Sequence, residues 1–440
     1  MSDATRHRPG VSRSLRARLA SALGPALAER DFALLWLALL AMGIGEQMLE
    51  VAIGWQVYTN HRSALYLGLI GLAEFIPMFV LALPAGQLAD RLPRRLVLAV
   101  SLLLAAVVAV GLAIVSAAGV TALAPFLALA LGAGVAGAIG TPAARALGPT
   151  LVPLALLPSA MTLRSIATQT SMVAGPALGG LLYALAPGVV YGVAAGICIV
   201  AAFCAAAIRH RPGLLPPEAE HTAPGLASVL AGIRFISRTQ ILLGAITLDL
   251  FAVLFGGAVA LLPLFARSIL HVGPFALGLL RSAPALGALA AAVLLTRRPP
   301  QGHTGRTLLV VVGAFGASMI VFGLSRSYPL SFAALAVSGF VDMFSMNIRA
   351  TIAALATPDA LRGRVMAVEM VFISASNQLG AFESGLAAFL IGAVPAVIAG
   401  GALTIALALC WSRLFPALAA VDRMQELQPE SPPQLAKQPA

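Results

Sequence analysis

Seven carboxylates of this chain lie where a carboxylate is costly. Glu46, Glu50, Glu74, Asp249, Asp342, Glu369 and Glu383 sit within or at the ends of long apolar runs, and an ionised side chain at mid-bilayer costs about 2.5–3.5 kcal/mol on insertion scales. Each therefore needs a partner, a proton or a water-filled space. Glu46 and Glu50 are four residues apart and share a helix face, and two like charges that close favour holding a proton between them. Such a pair is suited to proton exchange; the plainer alternative is that both hydrogen-bond to neighbouring helices, or that Glu50 lies near the outer interface. Glu74, three residues before Pro77, is of the same kind, and with Asp249 and Glu383 it completes the set of proton-coupling candidates. Asp249 and Arg281 are the expected oppositely charged pair of the second half, as a structural bridge or as a substrate contact. Ser374, Asn377, Gln378, Glu383 and Ser384 make the most polar run of the chain. With Gln47, Arg281 and Asp342, the residues Ser374, Asn377 and Gln378 are the candidates for lining a substrate cavity.

These groups need long apolar elements to carry them. Only 10% of residues are charged, against about 25% in soluble domains, and the mean hydropathy is +0.94, so the chain reads as a polytopic membrane protein. Strand-period alternation is absent, which argues against a barrel. At roughly 20 apolar residues per crossing, six spans fall at Phe32 to Tyr58, Leu65 to Leu88, Leu96 to Val115, Leu123 to Ala144, Met161 to Leu185 and Val189 to Ile208. Six more fall at Leu242 to Phe265, Ala276 to Leu295, Leu308 to Leu324, Leu330 to Ala356, Val365 to Leu390 and Val394 to Leu414. The domains expected are a basic segment over 1–30, a six-helix bundle over 31–208, a linker over 209–240, a second bundle over 241–415, and a Pro- and Gln-rich disordered tail over 416–440. Within the linker, Leu226, Val229, Leu230, Ile233 and Ile236 recur at helical spacing beside Arg234 and Arg238, which predicts an amphipathic helix on the membrane surface.

The charge of +11 is a topology signal rather than a nucleic-acid footprint, because the basic residues fall in short loops. Of the 28 Lys and Arg, 22 lie on the side shared by both termini and three (Arg62, Arg267, Arg326) on the other. The positive-inside bias places both termini in the cytoplasm and requires an even number of crossings, so twelve fits. The three cysteines, Cys198, Cys204 and Cys410, lie in apolar runs, and all six histidines lie in loops or tails, so neither metal nor cofactor is expected. No G-x-x-x-x-G-K-[ST] or H-E-x-x-H occurs, so the chain is not expected to be an enzyme. The basic N-terminal segment leads into an apolar run too long for a cleavable signal.

The loop Gly86-Gln87-Leu88-Ala89-Asp90-Arg91-Leu92-Pro93-Arg94-Arg95 resembles the G-x-L-x-D-R-x-G-R-R signature between the second and third helices of the major facilitator superfamily, with Pro93 where that family usually has Gly. Gly175-Pro176-Ala177-Leu178-Gly179-Gly180 is similar to the G-P-x-x-G-G core of the fifth helix of its exporters and antiporters. Pro142-Ala143-Ala144-Arg145, the run Thr357-Pro358-Asp359-Ala360-Leu361-Arg362-Gly363-Arg364-Val365, Gly54-Trp55-Gln56-Val57-Tyr58 and Ser376-Asn377-Gln378-Leu379-Gly380 resemble elements of the branch holding bacterial siderophore and drug exporters. The resemblance implies an all-α membrane fold of twelve transmembrane helices in two six-helix halves, with spans 3, 6, 9 and 12 facing lipid. Those four spans carry no acidic residue, Asn or Gln. It also implies an inner gate in which Asp90 pairs with Arg145 near Asp359, with Gly86, Arg91, Arg94, Arg95, Arg362 and Arg364 around it.

The expected function is secondary active transport by alternating access: proton-coupled efflux, by antiport, of a small siderophore-like or amphiphilic molecule across a bacterial inner membrane. A monomer in the lipid bilayer is expected, with small-molecule and proton partners. The alternatives are a lipid or lysolipid flippase of the same fold and a non-transporting membrane receptor or scaffold.

Overall fold

The computed structural model describes residues 24–209, 226–297 and 302–422. The basic stretch over 1–23 and the tail beyond Asp422, both singled out above, lie outside the described residues. Twelve membrane-length helices follow one another: α1 (Arg30–His61), α2 (Ala64–Arg91), α3 (Arg94–Ala117), α4 (Leu123–Leu147), α5 (Leu157–Leu185), α6 (Pro187–Ala206), α7 (Gln240–Gly256), α8 (Pro274–Arg297), α9 (Thr304–Leu324), α10 (Tyr328–Ala356), α11 (Asp359–Ile391) and α12 (Ala393–Leu414). Eleven are apolar enough as well as long enough to cross a membrane. The twelfth, α5, has the length at 29 residues, but its Thr162, Ser165, Thr168, Gln169, Thr170 and Ser171 dilute its apolar character. Among the described residues there is no strand.

Local chemistry sets the helix ends. Arg62 takes a left-handed conformation (φ 51°) and closes α1 by donating its N–H to Tyr58 O. Pro187 opens α6 at a position where the missing N–H costs nothing. The seventh span does not run as one helix to Phe265. It breaks at Gly256-Gly257 and proceeds through short turns, Val259–Leu261, Leu262–Leu264 and Phe265–Ile269, because two successive glycines offer the helix no side-chain packing to hold it. A separate linker helix, Leu226–Arg238, buries Phe235 and Ile236 and lays Gly232 against the Arg364 backbone at the start of α11. The residues after Phe415 are ordered rather than loose. Pro416–Ala419 is helical, Leu418 is buried against α9, and Asp422 reaches α9, which corrects the expected disorder for 416–422.

The four spans expected to face lipid, α3, α6, α9 and α12, pack in two pairs. α3 packs on α6, and α9 on α12, and their outer faces expose Val107, Val110, Val200, Phe203, Val310 and Leu409. Between the halves, α2 packs on α11 and α5 on α8. Four hydrophobic cores stabilise the molecule, and their membership defines its shape. At the end carrying both termini each half keeps its own core. At the far end, where α1 turns into α2, Val51, Trp55 and Ala64 of the first half join a core built from the short turns after α7 and from α8, α9, α10, α11 and α12. The halves therefore share a hydrophobic core at the far end, whereas at the end that carries the termini each has its own.

Candidate functional site

The far-end closure starts from small residues. A Cβ on Gly180 of α5 would run into Pro274 O, and one on Gly278 of α8 into Pro176 O, so the two backbones touch where the Gly-Pro run of α5 meets the start of α8. Gly175 and Gly179 serve the other face, against Gln47 Cβ and Met48 Cα of α1, where a Cβ would come within 2.6 and 2.8 Å. Across α2 and α11, a Cβ on Gly385 would lie 2.9 Å from Gly68 Cα. Polar contacts also join the halves, from the far end to mid-depth. Tyr58 and Ser268 share a hydroxyl hydrogen bond of 2.8 Å, and the Arg267 guanidinium stands 5.5 Å over the Trp55 ring. Gln169 donates to Ala285 O at 2.7 Å and Ser282 to Val173 O at 2.7 Å.

Between these contacts Glu50 of α1 is ion-paired with Arg281 of α8. The bridge joins the two halves, and its side chains are only partly shielded, at 32% and 17% exposure. Glu46 and Glu74 lie within electrostatic reach of Glu50, and Glu74 of Arg281 as well. One guanidinium thus stands among three carboxylates contributed by α1 and α2. Glu46, a turn nearer the termini end, is exposed, while Glu74 is half-buried.

The expected Asp249–Arg281 pair does not form. Asp249 pairs with Arg349 of α10 at 2.5 Å, and both are nearly buried, at 10% and 7% exposure. Depth decides the pairing. At 1.5 Å per residue, Asp249 is about 13 Å along α7 from the termini end and Arg349 about 10 Å along α10 from that same end, whereas Arg281 is about 10 Å along α8 from the opposite one. Arg349 was absent from the candidate residues. Its spacing of seven from Asp342, two turns on one face, was the available signal. Its Nε also donates to Ser345 Oγ at 3.2 Å, and Asp342 and Glu369 feel its charge. Three carboxylates and one guanidinium again form a group, this time inside the second half.

The other candidates are spread out. In α11, Asn377 is exposed, Ser374 and Gln378 are half-buried, and Ser384 donates to Gly257 O at 2.6 Å across the break in α7. Glu383 is half-buried next to Ser384. At the termini end, Arg94 donates to Ala146 O at 3.4 Å and Arg95 to Ile208 O at 2.6 Å, tying α3 to its neighbours. Arg91 and Arg364 are exposed, and Gly86 is half-buried. Asp359, the first residue of α11, pairs with Arg362 one turn on at 2.7 Å. Arg145 crosses between halves to Met370 Sδ at 3.3 Å. The Asp90 side chain lies outside the described residues.

A family profile described as transmembrane secretion effector, within the major facilitator superfamily, matches residues 20–438. The chain is similar to the multidrug efflux pump Tap of Mycolicibacterium fortuitum, 27% identical over 361 residues, covering 80% of this chain and 88% of Tap. It is similar to the enterobactin exporter EntS of Citrobacter koseri, 27% identical over 375 residues, covering 84% and 87%. In three dimensions it resembles a bacterial homologue of the human lysosomal transporter Spinster in an inward-facing, unoccupied conformation. The TM-score is 0.70 at 14% identity, over 88% of this chain and 97% of that one.

Proposed function

Since the chain belongs to the transmembrane secretion effector family of the major facilitator superfamily, and is a secondary transporter rather than an enzyme, we propose that it exports a small amphiphilic or chelating molecule in exchange for protons. The observation that carries this reading is the Glu50–Arg281 bridge, which ties the halves together at the far end with Glu46 and Glu74 beside it. A proton that neutralises Glu50 removes the charge holding Arg281, so proton arrival and parting of the far end become one event. Glu46 and Glu74 give the proton neighbouring stations. By linkage, whatever substrate favours one arrangement of the halves changes the affinity for the proton by the same factor.

The gate at the termini end is the counterpart. Arg145 and Met370 meet across the halves there, and Asp359 pairs with Arg362 at the start of α11. The positive-inside bias makes this the cytoplasmic end of a multi-pass protein in a bacterial inner membrane, and the chain works as a monomer, since one chain supplies both halves. Substrate enters from the cytoplasm between the halves, against Gln47, Ser374 and Gln378, and leaves when the far end opens. Proteoliposomes with an imposed pH gradient test this, with catecholate chelators, amphiphilic dyes and lysolipids as probes. Flux of a chelator or dye that collapses when the gradient is dissipated, and is lost in Glu50→Gln, is the expected result. Full flux without a gradient removes the proton from the account, and flux of lysolipids alone replaces export of soluble molecules with lipid flipping.

A further inference from the structure

Asp342 takes no part in the bridge between the halves. It faces a chamber of about 170 Å³ enclosed by α7, α8, α9, α10 and α11, with no wall from the first half. The chamber is therefore set off the axis along which the halves meet. Its polar rim is one-sided. The carboxylate of Asp249 is already held by Arg349, and Arg349 also donates to Ser345. Asp342 makes no hydrogen bond or ion pair among the described residues. Asn377 uses its Nδ2 to donate to Ile373 O at 2.9 Å, and Ser338 uses its hydroxyl proton on Leu335 O at 2.7 Å. What these groups leave is mostly acceptor capacity: the Asp342 oxygens, Asn377 Oδ1 and the Ser338 lone pairs, against one remaining N–H of Asn377. The net charge has the same sense, because Asp249, Asp342 and Glu369 surround a single guanidinium. The remaining wall is largely hydrocarbon, including Phe315, Met319 and Leu335.

We propose that this chamber is a ligand site in its own right, taking a small primary or secondary amine as its ammonium ion. The N–H groups donate to Asp342 and Asn377 Oδ1, and the hydrocarbon body lies against Phe315, Met319 and Leu335. A cation there meets the acceptors with donors, offsets the excess negative charge and has a ring face within reach. A bare metal ion would need about six oxygens, which a wall of this composition does not offer. The volume is below the ~300–1,000 Å³ typical of drug-sized pockets, so the ligand is a single ring or short chain. The site is independent of the export reading: it stands on the second half alone and holds whether or not protons drive the transport cycle.

The test is calorimetric titration of the full-length protein in lipid nanodiscs, at fixed ionic strength, with benzylamine hydrochloride as the probe and benzyl alcohol as its uncharged match. Saturable binding of the amine is expected, at least about tenfold tighter than the alcohol, as a hydrogen bond to a charged group implies. Asp342→Asn, which keeps the side-chain shape, should remove most of that difference, and Leu335→Trp should block both probes. The comparison of the two probes on the unaltered chain needs no variant and stands even if a substitution impairs folding. Equal affinity for amine and alcohol, no saturable binding at millimolar amine, or amine affinity unchanged by Asp342→Asn each overturns the proposal. Displacement of the amine by sodium chloride but not by choline chloride, whose quaternary nitrogen has no N–H, assigns the chamber to an inorganic cation and overturns it too.

Discussion

Replacing Glu50 by Gln keeps the shape of the side chain and removes its charge, leaving the Arg281 guanidinium at the junction of the halves without its ion-pair partner. Arg281 Nε is buried and has no hydrogen-bond partner, so the guanidinium has little else to turn to. Fully exposed pairs contribute about 0–1 kcal/mol, and breaking a fully buried one costs about 3–5 kcal/mol. At 32% and 17% exposure this bridge falls between those limits, at about 1–3 kcal/mol. Since 1.4 kcal/mol is a factor of ten, the closed far end should lose about a tenfold to hundredfold of its weight against the open one. Pulsed EPR distances read this directly, with spin labels at Asn60 and His271, both exposed far-end positions, on a chain whose free cysteines Cys198, Cys204 and Cys410 have been replaced. The Glu50→Gln chain should populate a longer distance than the unaltered chain at neutral pH. Exchanging the partners, Glu50→Arg with Arg281→Glu, should restore the short distance. Identical distance distributions for both chains at every pH would refute the idea that this bridge holds the far end shut.

Three further outcomes follow from the geometry. Asp249→Asn leaves Arg349 buried without its counter-charge and should lower stability by about 3–5 kcal/mol, seen as a lower thermal unfolding midpoint in detergent, whereas Asp249→Leu with Arg349→Met should recover most of it. Gly180→Val forces α5 from α8 and should abolish flux and lower stability, while Gly192→Val, with nothing within 4 Å of the added Cβ, should keep both. A comparable loss in the two would mean that close approach at Gly180 is not the cause. At the α9 N-terminus, Asp422 Oδ1 accepts from His303 N at 2.7 Å and Asp422 O from Thr304 N at 3.1 Å. Asp422→Ala removes only the side-chain contact and should weaken that end by about 0.5–2 kcal/mol, detected as faster amide exchange at His303 while the middle of α9 is unaffected.

Hydropathy and charge bias carried most of the fold. Long apolar runs have one low-energy solution in lipid, the helix, so the spans were legible wherever the run was clean. The polar face of α5 and the Gly256-Gly257 break in α7 show the limit, since one helix is long without being uniformly apolar and the other span stops short of its apolar run. The Gly-Pro run of α5 announced close packing, and the structure supplied the partners: α1 on one face, α8 on the other.

The sequence by itself determined that seven acids and a few arginines would be held at membrane depth, and on which helices, because the cost of charge in hydrocarbon marks them one by one. It did not determine who pairs with whom. Arg281 meets Glu50 across the halves and Arg349 meets Asp249 within one, because antiparallel neighbours place residues by depth from opposite ends and only packing fixes which faces turn toward each other. The same physical reason places Asp342 off the central axis: a side chain's position along its helix is written in the chain, but the direction in which that face points is decided by the helices around it.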